Sequence, residues 1–186
     1  MKLQNQIYVF ESGAHAGQSF EQVALTDYML FDWLKTQEWY DKKFSKDKRE
    51  RIDQIVKKLN NFIPAVKCQN SECEANAEYL TIARSYANIQ KEDYSVYGII
   101  GMSASTQFAW CKDHKNVPYE KAQPFEIKFN SLYHLEEVPK WVRRDALEVL
   151  LQCTGWNPKL KKTKENCKDF IDNLPQRGEQ LGLNLY

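Results

Sequence analysis

Two short cysteine motifs constrain the fold of this chain more than any other feature of its sequence. Four residues separate Cys68 from Cys73, and two residues separate Cys111 from His114. Pairs at such spacings supply the sulfur and imidazole ligands of tetrahedral Zn²⁺ sites, because each pair fits on one tight turn. We therefore predict a zinc site with these four ligands. Protein atoms would fill its coordination sphere, so we expect a structural rather than a catalytic metal.

The alternative is that the same residues are three buried thiols and an exposed imidazole. Cysteine is often fully buried, but polar turns are poor core positions. The chain has five cysteines, an odd number, with no export signal before them. This disfavours a disulfide framework. Cys153 and Cys167 fall on apolar helical stripes, and we predict that they are core residues.

The apolar periodicity predicts an α+β protein in three parts. Spacings of three and four predict a small helix-rich N-terminal module with a basic helix over residues 1–63. Runs of β-branched and aromatic residues predict a central, zinc ribbon-like antiparallel sheet over residues 64–130. Apolar stripes predict a helical C-terminal part over residues 131–186.

Within these parts the sequence predicts individual elements. Ser19 and Gln22 form a capping box at the start of a first helix, and Asp27 is expected to cap a second whose inner face includes Trp33. Other helices are predicted over residues 45–62, from Pro139 to about residue 154, and over 163–174. Strands are predicted over residues 6–10, 79–83, 95–100, 106–110 and 124–129.

Composition limits the class of protein. Apolar residues make up 42% and aromatic residues 13% of the chain, which is enough to bury a core. No apolar run approaches the roughly 18 residues of a membrane span, and no signal peptide is evident, so we expect a cytoplasmic protein. The net charge is +1. Attraction to phosphate would therefore have to come from local patches.

Two clusters of basic residues are candidate phosphate-binding patches, because such clusters release counterions when they neutralise phosphates. The alternative is a solvated face that keeps the protein soluble. The first cluster comprises Lys42, Lys43, Lys46, Lys48, Arg49 and Arg51. The second comprises Lys140, Arg143, Arg144, Lys159, Lys161, Lys162 and Lys164.

The first forty residues carry a further pattern. Residues 13–24 read GAHAGQSFEQVA, and Asp27, Phe31, Trp33 and Leu34 follow at fixed spacing. This pattern resembles the C-terminal domain of exodeoxyribonuclease X-like proteins, over residues 7–34. The resemblance implies a nucleic-acid-linked role, but not nuclease activity, which resides in the other domain of that enzyme. The turn lysines and the proline of the family are replaced here, by Ala14, Ala16, Gln18 and Tyr28.

These observations favour a non-enzymatic, zinc-stabilised, nucleic-acid-binding accessory protein of a larger DNA-processing or defence complex, with a CRISPR-type effector as one candidate. DNA is favoured over RNA. Exposure of Trp39, Tyr40 and Trp156 would allow a homodimer. The first alternative is a protein–protein adaptor that does not contact nucleic acid. The second is a metal-dependent nuclease that uses Glu126 and Lys128, with Asp113 as its upstream acid.

Overall fold

The computed structural model describes residues 6–68, 70, 72–85, 93–95, 109–115, 123–135 and 140–177. Its helices and small antiparallel sheet confirm the α+β class. The chain folds into two compact units, the first comprising Met1–Phe62 with Asn157–Tyr186 and the second Ile63–Trp156. The two predicted C-terminal helices therefore belong to different units. In the part of the chain described, no helix is both long and apolar enough to cross a membrane.

The first unit is helical. Its helices are α1 (Phe20–Ala24), α2 (Met29–Lys35), α3 (Tyr40–Lys43), α4 (Lys46–Asn60) and α6 (Lys164–Asp172). The predicted capping box is confirmed, since Gln22 N–H donates to Ser19 Oγ at 3.1 Å and Ser19 N–H donates to Gln22 Oε1 at 2.9 Å. The box satisfies two backbone N–H groups that a helix start leaves without partners.

Apolar spacing orients α4 as predicted. Ile52, Ile55 and Leu59 are fully buried, and Ser45 caps the helix through its side chain. Thr163 caps α6 in the same way. Because these positions repeat every three or four residues, one face of α4 lies in the core while the opposite face carries its charges.

Three expectations for the N-terminal region are wrong. Asp27 does not cap α2, because its carboxylate instead pairs with His15 Nε2 at 3.1 Å. Trp33 is 52% exposed rather than on the inner face. Residues 6–10 do not form a strand, and only the isolated bridge Val9↔Ser19 is present there. Short elements carry too few periods for pattern alone to decide them.

A largely buried ion-pair cluster joins three helices of this unit. Arg51 on α4 pairs with Glu21 on α1 at 2.7 Å and with Asp172 on α6 at 2.8 Å. Glu21 is fully buried and Arg51 is 11% exposed. Lys58 Nζ also donates to the backbone carbonyl of Asp172 at 2.6 Å. Charge pairing therefore accompanies apolar packing where α1, α4 and α6 meet.

Acid should destabilise the chain partly through Asp172. Burial alone would raise the pKa of this carboxyl, but hydrogen bonds from Lys168 and Arg51 hold it below its ordinary value. In the unfolded chain the pKa of an Asp carboxyl is about 3.8 to 3.9. Because the pKa of Asp172 is lower than this in the folded chain, its ionised carboxylate stabilises the fold at pH values above the unfolded pKa. This stability is lost as the pH falls through the pKa of the folded state. Between pH ~5 and ~2, the unfolding free energy should fall more steeply in the wild type than in Asp172→Asn.

Urea titrations at a series of pH values would measure this difference. Asp169→Asn is the matched control, since Asp169 is an exposed acid on the same helix. We expect it to keep the steep acid dependence of the wild type. Equal slopes for the wild type and Asp172→Asn would refute the role assigned to Asp172.

The second unit is built around one strand. Its strands are β1 (Tyr79–Ser85), β2 (Asp93–Ser95), β3 (Ala109–Trp110) and β4 (Gln123–Glu126). β1 pairs antiparallel with the other three, and Tyr79 and Leu80 pair with both β3 and β4. β3 and β4 therefore lie on opposite sides of this end of β1. Residues 96–100, 106–108 and 139, where other predicted strand and helix positions fall, lie outside the described residues.

Helices follow the sheet along the chain. A 3₁₀ helix (Phe129–Leu135) precedes α5 (Lys140–Cys153). The apolar stripe predicted for α5 is confirmed at Ala146, Val149 and Leu150, which are buried. Gly155 has a φ of 90°, a conformation that favours glycine and stops the helix.

Candidate metal centre

The first two cysteines lie in a short hairpin-like segment over residues 66–77. Lys67 and Asn76 form an antiparallel bridge, Cys68 N–H donates to the Ala75 carbonyl at 2.8 Å, and Ala77 N–H donates to the Val66 carbonyl at 3.0 Å. These bonds close the segment around the C-x4-C motif. Cys73 lies on the returning side of the turn, so both thiols are held at the same end of the segment.

The second pair follows β3. Cys111 comes directly after Trp110, and the turn that follows it is closed by His114 N–H donating to the Cys111 carbonyl at 3.2 Å. The first cysteine segment leads into β1, while Glu78 N–H donates to the Trp110 carbonyl at 2.7 Å. Pairing of β1 with β3 therefore sets the two turns side by side.

The four ligand atoms converge. All lie within 4.8 Å of one another, and no second group of this kind occurs among the described residues. Cys73 Sγ is 3.8 Å from Cys111 Sγ, and His114 Nδ1 is 3.2 Å from Cys111 Sγ and 3.4 Å from Cys68 Sγ. Tetrahedral Zn²⁺ with Zn–S bonds near 2.3 Å would separate two sulfurs by about 3.8 Å and a sulfur from the nitrogen by about 3.5 Å. The cluster can therefore hold one metal ion.

The thiols are suited to metal binding rather than to a disulfide. All five cysteines are free, and the 3.8 Å between Cys73 and Cys111 is far longer than the ~2.05 Å of an S–S bond. Burial would raise the pKa of Cys68, but hydrogen bonds involving the backbone of Cys111 and Asn70 outweigh it and lower this pKa to about 7. Burial raises the pKa of Cys111. Thiolate is the form that binds metal, so the lowered pKa of Cys68 favours binding at that thiol.

Apolar side chains pack against part of the cluster. Cys68 and Cys111 are buried with Trp110 in a small core of their own, and Tyr79 packs against it. Lys115 Nζ lies 4.7 Å from the centroid of the Tyr79 ring. Cys73 and His114, the other two members of the cluster, are half-buried.

The other two cysteines are core residues, as predicted. Cys153 and Cys167 are buried, and burial raises the pKa of each thiol to about 12. They therefore remain neutral thiols at physiological pH and take no part in the cluster.

Most of the first basic cluster is paired with acids. Lys48 contacts Glu11, Arg49 contacts Asp41, and Lys46 lies 3.7 Å from Glu50. Arg51 is enclosed between Glu21 and Asp172, as described above. Lys42 and Lys43 are exposed, and neither forms an ion pair with any described acid.

In the second basic cluster, fewer of the described lysines are paired with acids than in the first. Lys159 and Lys161 are exposed and Lys164 is half-buried, and none of the three has an acidic partner within the described residues. Lys162 is half-buried, and its carbonyl accepts a hydrogen bond from Gln22 Nε2 at 2.8 Å. Lys140, Arg143 and Arg144 lie on α5 of the other unit, but their side chains are outside the described set.

The residues of the nuclease alternative do not form a carboxylate metal site. Glu126, at the end of β4, forms an ion pair with Lys128. Asp113 is exposed within the turn between Cys111 and His114. Neither acid belongs to a group of potential metal ligands in the described part of the chain.

Several aromatic residues do not lie where their sequence positions predict, and some of them line a cavity that the sequence did not predict. Tyr40 and Trp156, expected at an exposed interface, are buried, whereas Trp39 is 37% exposed. Trp33 and Trp39 instead line a cavity of about 470 Å³ in the first unit. The glycine-containing turn over residues 12–17, in which Gly13 and Gly17 have positive φ, lies beside this cavity. The cavity itself could not be predicted, because side-chain convergence leaves no local pattern in the sequence.

Comparisons with known proteins give no match: no protein-family model fits the chain, and no curated protein or solved structure is significantly similar to it.

Proposed function

We propose that the chain is a non-enzymatic accessory protein in which a structural Zn²⁺ stabilises the second unit. The convergence of Cys68, Cys73, Cys111 and His114 supports this proposal. Three sulfurs and one imidazole nitrogen in a closed tetrahedral arrangement are typical of zinc rather than of Mg²⁺ or Ca²⁺, which prefer oxygen ligands. The ion would fix the register of β1 and β3 through the turns that flank them.

The function proposed for the whole chain is binding of nucleic acid, with DNA favoured over RNA. The observation that carries it is the lysine segment before and at the start of α6, where Lys159, Lys161 and Lys164 have no acidic partner among the described residues. The resemblance of residues 7–34 to an exonuclease-associated domain also supports a role in nucleic-acid binding. Arg51 is left out of the contact set because its side chain is enclosed.

Binding should fall steeply with salt, because phosphate neutralisation releases counterions. Lys159→Glu combined with Lys161→Glu is expected to weaken binding of a labelled oligonucleotide by at least about tenfold at low salt and to flatten the dependence on salt. Fluorescence anisotropy over a range of salt concentrations would measure both effects. The matched control is Lys57→Glu combined with Lys67→Glu, which has the same charge change at exposed lysines elsewhere.

The outcomes separate the candidate functions. Absence of binding at low salt would overturn the nucleic-acid proposal and favour a protein–protein adaptor. Equal loss in the test and control variants would show that net charge, rather than the lysine segment, determines binding. Cleavage of the oligonucleotide in Mg²⁺ that is abolished by Glu126→Ala would instead establish the nuclease alternative.

A further inference from the structure

The first unit contains a cavity of about 470 Å³ beside the glycine-containing turn. Phe10, Leu30, Leu34 and Phe44 supply apolar wall, and Trp33 and Trp39 also line it. A volume in this range suits a small ligand or one flat group of a larger one. The cavity lies wholly within the first unit and is unrelated to the cysteine cluster.

The two tryptophans are unusual in their exposure. Trp33 is 52% and Trp39 is 37% exposed, and Leu160 is the other large apolar side chain exposed to this degree in the described residues. The rings of Trp33 and Trp39 lie 6.0 Å apart, edge to face at 65°. Exposed apolar side chains gathered at one concave site mark a binding surface more often than scattered ones do.

Two acids and two lysines line the cavity, so its charged lining is balanced at neutral pH. Glu11 is paired with Lys48, and the carboxylate of Asp27 lies 3.1 Å from His15 Nε2. Lys43 also lines the cavity, with its Nζ 5.2 Å from the centroid of Trp39.

Lys42 lies beside Lys43 on α3, and neither lysine forms an ion pair in the described part of the chain. Lysines that are not held in ion pairs, next to exposed indole rings, can bind phosphates while the rings stack on bases.

We propose that this cavity binds bases of single-stranded nucleic acid, with a base stacking on Trp33 or Trp39 and Lys42 and Lys43 contacting the backbone. This inference rests on the proposed function and adds to it a preference for unpaired bases. Duplex bases are stacked on one another and present no free face to an indole ring.

The test compares three labelled ligands of equal length: an oligothymidylate, the same strand made abasic, and a blunt duplex. The abasic strand keeps the phosphates and removes the stacking groups. Wild-type protein should bind the oligothymidylate at least about tenfold more tightly than the abasic strand, given the usual contribution of one stacked base. Trp33→Ala combined with Trp39→Ala should abolish this difference. Both side chains are exposed, so the variant should remain folded, and circular dichroism checks this.

Leu160→Ala is the matched control, since it removes an exposed apolar side chain of the same unit, and it should keep the base preference. Lys42→Glu with Lys43→Glu should weaken binding of both strands. Wild-type binding that is equal for the two strands, or a base preference retained in the tryptophan variant, would overturn the inference while leaving the proposed function standing.

Failure of the wild type to bind any of the three ligands would overturn both proposals. Quenching of tryptophan fluorescence by a short leucine- and phenylalanine-containing peptide, but not by the oligothymidylate, would identify the cavity as a protein-docking site and reject the inference.

Discussion

Cys73→Ser is expected to cause the largest loss of stability of any single substitution considered for this chain. The hydroxyl is a poor zinc ligand, so the variant should lose the metal and with it the constraint between the turns at Cys68 and Cys111. Loss of a structural metal is among the few changes that cost more than about 4 kcal/mol. In a chain of this length such a cost lowers the melting temperature by roughly 10 °C or more. Differential scanning calorimetry, combined with metal analysis, measures both.

Cys153→Ser is the matched control. It makes the same chemical change at a buried cysteine of the same unit that lies outside the cluster. It should cost about 1–3 kcal/mol through burial of a hydroxyl and leave the zinc content unchanged. Treatment of the wild type with a strong chelator should reproduce the effect of Cys73→Ser. A Cys73→Ser variant as stable as the wild type would contradict a structural role for the metal.

Arg51→Met is expected to have the second largest effect. Methionine fills much of the same volume but leaves the fully buried carboxylate of Glu21 without its cation. Removing one partner of a buried ion pair costs about 3–5 kcal/mol, because the remaining charge stays desolvated. Chemical denaturation at neutral pH would measure the loss.

Two further variants make this test specific. Arg49→Met removes a cation whose partner, Asp41, is largely exposed, and should cost no more than about 1 kcal/mol. Glu21→Gln added to Arg51→Met removes the stranded charge and should recover part of the lost stability. An Arg51→Met variant as stable as Arg49→Met would show that the cluster contributes little to the fold.

The four residues of the candidate metal centre could be predicted from sequence because each pair carries a local signal. A C-x4-C and a C-x2-H spacing each fit one turn, and strand patterns beside them indicate how the turns meet. The capping box at Ser19 and the apolar stripe of α4 were predictable for the same reason. For the capping box and for each cysteine turn, neighbouring residues carry both the pattern and its cause, whereas the two turns meet only through the pairing of β1 with β3.

What could not be predicted depends on partners distant in sequence. Arg51 looked like one more cation on a basic helix, but its carboxylate partners, Glu21 and Asp172, come from elements 30 and 121 residues away. Trp33 occupies a position typical of an inner helix face, but α2 is only seven residues long and turns that position outward. The nucleic-acid role and the resemblance of residues 7–34 stay predictions.

The most direct test of the metal centre is X-ray absorption spectroscopy at the zinc edge on the purified wild-type protein, with metal content measured on the same sample. We expect one zinc per chain, bound by three sulfurs at about 2.3 Å and one nitrogen at about 2.0 Å. A chain purified without zinc, or a first shell dominated by oxygen, would contradict a structural zinc site formed by Cys68, Cys73, Cys111 and His114.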